Sequence, residues 1–116
     1  MKWFQVDSDT PNDSRIRAVR RELGAAGVGG LFLLWCYVAD HGKRPGRSID
    51  TAGQPFPVED LQEASGLDQV TFSRVVTICV ESGHFKKDAW VDRKEIVIPA
   101  MRRRADTYTK RRRRTK

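Results

Sequence analysis

Cysteine and histidine are scarce, at two residues each in 116. Cys36 and Cys79 both sit inside apolar runs, which argues against a disulfide framework and reads as reduced core thiols. The spacings Cys36-x4-His41 and Cys79-x4-His84 are the only pattern that could suggest a metal. Closed zinc sites prefer Cys pairs presented from loops, so no metal ligand set is expected. Long apolar runs are missing too. The longest, Leu31–Ala39, has nine residues, well short of the ~20 that a bilayer crossing needs. The first residues, Met-Lys-Trp-Phe-Gln-Val-Asp, contain no apolar stretch of a secretory signal. The expected setting is therefore cytoplasmic, in a bacterial or phage-infected cell, without membrane contact.

Catalytic patterns are absent as well. The carboxylates are scattered, with none paired in an apolar setting for general acid–base work. Ser73 and Ser82 have no base partner at a readable spacing. The glycine-rich Gly24-Ala-Ala-Gly27-Val-Gly29-Gly30 follows no strand and precedes no Lys-Ser/Thr, so it is neither a P-loop nor a dinucleotide fingerprint. It reads as a tight link between helices. No enzyme activity and no cofactor are expected.

What the chain does have is an uneven charge. Residues 99–116 hold nine cations, Arg102, Arg103, Arg104, Lys110, Arg111, Arg112, Arg113, Arg114 and Lys116, against Asp106 alone. The formal net charge of the whole chain is +7, so the first 98 residues are close to neutral. A near-neutral body with a strongly basic end suits contact with a polyanion. The chain divides accordingly into a domain over residues 1–98 and a basic C-terminal helix or tail over residues 99–116.

Hydrophobic spacing supplies the order of elements. Ile16, Val19 and Leu23 form a helical stripe over Asn12–Leu23, with Asn12 or Asp13 as cap and Gly24 as stop. Val28–Asp40 is apolar nearly all round and is expected to be the most buried helix. Lys43–Gln54 reads as an exposed polar loop with room for a short strand at Ser48-Ile49. Pro57–Ser65 is a third helix, with Pro57 at its first position and Leu61 and Ala64 inward. Gly66-Leu67 is a turn, Asp68 a cap, and Gln69–Ser82 a fourth helix with Phe72, Val75 or Val76, and Cys79 on its core side. Phe85–Val91 and Glu95–Ile98 read as two strands around the polar tip Asp92-Arg93-Lys94. Met101, Ala105 and Tyr108 then suggest a docking helix that frays into Lys110–Lys116. The aromatics Trp3, Phe4, Trp35 and Trp90 could stack on unpaired bases, but packing is their commoner use.

This order predicts an α+β, mainly α fold: a winged helix-turn-helix with a two-stranded wing and a basic C-terminal helix. In such a fold the second helix of the pair enters the major groove. Its outward face would be Gln69, Thr71, Ser73, Arg74 and Thr77, with Arg74 suited to a guanine edge and Gln69 to an adenine. Lys86, Lys87, Arg93 and Lys94 on the wing, and the cations of the tail from Arg102 to Arg114, would meet phosphates.

The segment "KWFQVDSDTPNDSRIRAVRRELGAAGVGGLFLLW" resembles the opening of the phage replisome-organiser and DnaD-like N-terminal winged-helix family. The likeness lies in the Lys-Trp-Phe start, the Asp7-Ser8-Asp9 turn, the Asn12-Asp13 cap, the arginine-rich first helix and the glycine-rich turn. It extends over about residues 2–98, with "DLQEASGLDQVTFSRVVTICVESGHF" matching more generically. The resemblance implies a role in DNA replication initiation, in phage or prophage, with binding to duplex or single-stranded DNA, self-association and contacts to replisome proteins. Full members carry a further C-terminal region, whereas this chain stops at Lys116. Two other functions use similar parts: a small winged-helix transcription repressor, and a replisome protein-interaction module.

Overall fold

A computed structural model describes residues 13–103. Four helices are set by local signals. The first, α1, runs Ser14–His41 and is broken once, at Gly24, whose φ of 68° and ψ of −163° only glycine adopts without strain. Asp13 caps it by accepting from the Arg15 amide at 2.8 Å. The Gly42 amide closes its far end onto the Val38 carbonyl. The expected link over Gly24–Gly30 is thus a one-residue break: from Ala25 onward the chain is helical again.

The second helix, α2, is Val58–Ser65 and ends on Gly66 in the left-handed region at φ 71°. Pro57 sits at its N-cap, one residue earlier than expected. The third, α3, spans Gln69–Glu81 and starts on Asp68, which accepts from the Thr71 amide at 2.7 Å. Phe72, Val75, Val76, Ile78 and Cys79 form its buried face. Both α2 and α3 pack on α1. Leu67, in the turn between them, reaches the α1 backbone at Gly30, where a Cβ would come within 2.4 Å of its Cδ1. Ser14–His41 is long and apolar enough by composition to cross a membrane. Within this fold its buried residues, Ile16, Val19, Leu31, Leu34, Trp35, Val38 and Ala39, form the centre of the core. Burial is one-sided, however: Phe32 and Leu33 remain about half exposed.

The expected two-stranded wing is not formed, and the fold is mainly helical, with no β-strand among the described residues. Where the first wing strand was expected, Lys87–Arg93 makes a short helix, α4, with Asp88 in its first turn and Lys94 as a left-handed cap at φ 54°. Val91 at the end of that segment is exposed, and Trp90 is half-buried. The second expected strand is extended but pairs elsewhere. The Ser48 amide donates to the Ile96 carbonyl at 2.9 Å and the Ile98 amide to the Gly46 carbonyl at 2.7 Å. Single bridges join Arg47 to Val97, Arg44 to Arg47 and Ile49 to Pro55. The polar loop is therefore partly internal, with Gly46, Ser48 and Ile49 buried. Ile96, Ile98, Phe85 and Met101 close the core from this side. Residues 99–103 are helical. Arg104, Ala105, Tyr108 and the cations Lys110, Arg111, Arg112, Arg113, Arg114 and Lys116 lie outside the described residues, as do Trp3 and Phe4.

Candidate nucleic-acid interface

The helix-turn-helix pair is present as α2 and α3, but the chemistry of its outward face differs from expectation. Gln69, Ser73 and Arg74 are exposed, whereas Thr71 and Thr77 are only half so. The Thr77 hydroxyl donates back to the Ser73 carbonyl at 2.8 Å, a local bond that occupies its proton. The Arg74 guanidinium is held by Glu22 of α1 in an ion pair. Both side chains stay nearly half exposed, so the pair is solvent-screened and cheap to open. The unit itself is acidic: residues 57–82 carry Glu59, Asp60, Glu63, Asp68 and Glu81 against Arg74 alone. Val70 stands on the same first turn as Gln69 with 75 % of its surface exposed. A DNA-reading face made only of α3 would therefore meet phosphates with excess negative charge around it.

The cations gather elsewhere. Lys86 and Lys87 are exposed at the start of α4. Arg93 donates to the Gly53 carbonyl at 2.8 Å and lies 3.4 Å from the Glu95 carboxylate. Lys94 places its ammonium 5.2 Å from the Trp90 ring centroid. These four residues were expected to share a wing. Two of them instead hold structure: Arg93 fastens the loop at Gly53, and Lys94 caps α4. Arg102 and Arg103 are exposed beyond Met101.

Sequence reading missed a second group. Arg17, Arg20 and Arg21 are exposed on the first half of α1, and Lys43 and Arg44 on the loop that follows it. Arg47 donates through Nε to the buried Glu95 at 2.6 Å, which raises the guanidinium pKa further. The signal available was the run Lys43-Arg44-Pro45-Gly46-Arg47, three cations with no acid, but its neighbours in space could not be read from it.

The Cys–His spacings have another meaning. Trp35 Nε1 donates to His84 Nε2 at 2.8 Å, so the imidazole is bound within the core. Burial, helped by the Arg15 charge, pushes its pKa down to about 4. Cys79 is buried and free, and burial pushes its thiol up to about 12. Cys36 is half-buried and free, and no cluster able to hold a metal ion occurs among the described residues.

These features define a small, mainly helical domain built on one broken helix, with a helix-turn-helix pair laid across it. The family follows from residues 3–97, which match the Lin1244/Lin1753-like N-terminal model; the chain belongs to that family. Its description names no activity and makes no connection with replisome organisers. Comparison with curated proteins and with solved structures gave no match.

Proposed function

We propose that the chain is a DNA-binding module, not an enzyme, acting in the cytoplasm at the initiation of phage or prophage DNA replication. The observation that carries DNA binding is the segregation of charge. Acids dominate residues 57–82, while residues 86–103 hold six cations against three acids and lead directly into the basic run 104–116. Such separation raises the local potential at one part of a chain and speeds encounter with a polyanion. The replication role rests on the resemblance of the N-terminal motif to replisome organisers. Protection of a promoter and of no replication origin in a genomic footprint would favour the repressor alternative.

The test is binding of the full chain to a 20-base-pair random duplex and to a single strand of equal length, with salt titrated. The duplex is expected to bind more tightly, with an affinity that falls steeply and log-linearly in salt. Absence of binding to either at low salt refutes the proposal.

One observation favours a second reading, in which α3 meets a protein. Arg74 is engaged by Glu22, and Val70 is exposed beside Gln69. Under that reading Arg74→Ala leaves DNA affinity unchanged on every sequence. Under the base-reading alternative it costs about 1–3 kcal/mol on a preferred site and far less on random DNA.

A further inference from the structure

We propose that the phosphate-contacting site of the folded body is the loop over residues 43–47, joined by Lys86 and Arg102, and not the outward face of α3. This rests on the DNA-binding reading above and assigns its surface. Three segments distant in sequence meet here. Arg47 bridges to Val97, and the Lys86 amide donates to the Val97 carbonyl at 2.9 Å, so Arg47 and Lys86 flank one extended residue. Arg44 bridges to Arg47 across the turn. Gly46 sits at that turn with φ 71° and lies beneath Arg102: a Cβ there would come within 2.9 Å of Arg102 Cγ and 2.7 Å of the Ile98 carbonyl. Only glycine gives both the conformation and the close approach.

The loop is also held rigidly. Lys43 donates its amide to the Ile49 carbonyl at 3.1 Å, and Ser48 and Ile98 bond across to the neighbouring segment. Glu95 is buried and accepts from Arg47 while lying against Arg93, so its charge is used twice inside the fold. Asp50 accepts from the amides of Ala52 and Gln54 at 2.9 Å each and caps its own turn. Among the described residues no carboxylate pairs with Lys43, Arg44, Lys86 or Arg102, and all four are exposed. Cations on a rigid frame, without partners and around a glycine turn, suit consecutive phosphates of a nucleic acid backbone. Glu95 is a positioning residue here, since it fixes Arg47 and through it the loop.

The experiment uses the full chain and a fluorescent random duplex, with binding followed from low to moderate salt. The double variant Arg44→Ala/Lys86→Ala removes two exposed side chains, and its urea midpoint is expected to equal that of the parent. Its slope of log K against log salt should be shallower by about 1.8, since each phosphate contact adds about 0.9. Affinity should drop by roughly tenfold or more at low salt. Arg44→Lys with Lys86→Arg keeps both charges and should restore the slope, whereas Arg74→Ala on α3 should leave it unchanged. A double variant with the parental slope overturns this assignment while leaving DNA binding standing, as does a slope that falls with Arg74→Ala instead. Failure of the parent chain to bind either duplex or single-stranded DNA removes both. A parent that binds only single-stranded RNA, with the same dependence on Arg44 and Lys86, overturns the choice of DNA.

Discussion

Acidification should weaken this fold through one buried side chain, His84. Its Nε2 accepts from Trp35 Nε1 at 2.8 Å, so the neutral tautomer carries its proton on Nδ1, which is buried with no partner among the described residues. A proton added to Nε2 would break the Trp35 bond and place a charge beside the Arg15 guanidinium in the core. Asp13, whose carboxyl Arg15 holds well below the usual range, offsets this only in part. The folded pKa is about 4, against an ordinary 6.5. Because the folded value is depressed, the unfolded chain binds more protons between these two values, and stability falls as pH drops through that window. Above pH ~7 both states are neutral at this site and it contributes nothing to the pH dependence. At pH 5 the loss should be about 2 kcal/mol, rising to about 3 kcal/mol below pH 4. Urea denaturation at pH 7.5 and pH 5.0 measures it directly. His84→Gln keeps an acceptor for Trp35 and removes the titration, so its stability should change little between the two pH values. An equal pH dependence in the variant and the parent would refute the assignment.

Other substitutions test the packing. Phe72 of α3, 2 % exposed in the core, should cost about 3–5 kcal/mol as Phe72→Ala, read as a lowered urea midpoint; a loss under about 1 kcal/mol would mean that α3 presents a different face. Gly29 and Gly30 are adjacent in α1 and should respond in opposite directions. Gly29→Ala meets nothing within 4 Å and should stabilise by up to about 1 kcal/mol, whereas Gly30→Ala drives into Leu67 Cγ and Cδ1 and should destabilise by about 1 kcal/mol in thermal unfolding.

Which parts of this fold were legible depends on how far away each residue's partner lies. The start of α1 and the bounds of α2 and α3 were readable because Asp13, Gly66 and Asp68 act on amides and backbone angles within three residues of themselves. The break at Gly24 was readable for the same reason, though not its length. Ala25, Ala26 and Val28 are content in a helix, and the packing of Gly30 against Leu67 shows why glycine is needed at position 30. The hairpin was misread because Phe85–Val91 and Glu95–Ile98 are neighbours in sequence with strand-like residues, and proximity made them look like a pair. The actual partner of Ile96 is Ser48, forty-eight residues away, and a seven-residue helix intervenes. Arg74 could be placed on the outer face of α3 by periodicity alone, but Glu22, fifty-two residues earlier, decides what it touches. The basic end and near-neutral body are properties of composition and were fixed before folding. The gathering of Arg44, Arg47, Lys86 and Arg102 around Gly46 is a property of three segments meeting, which only the closed core brings about.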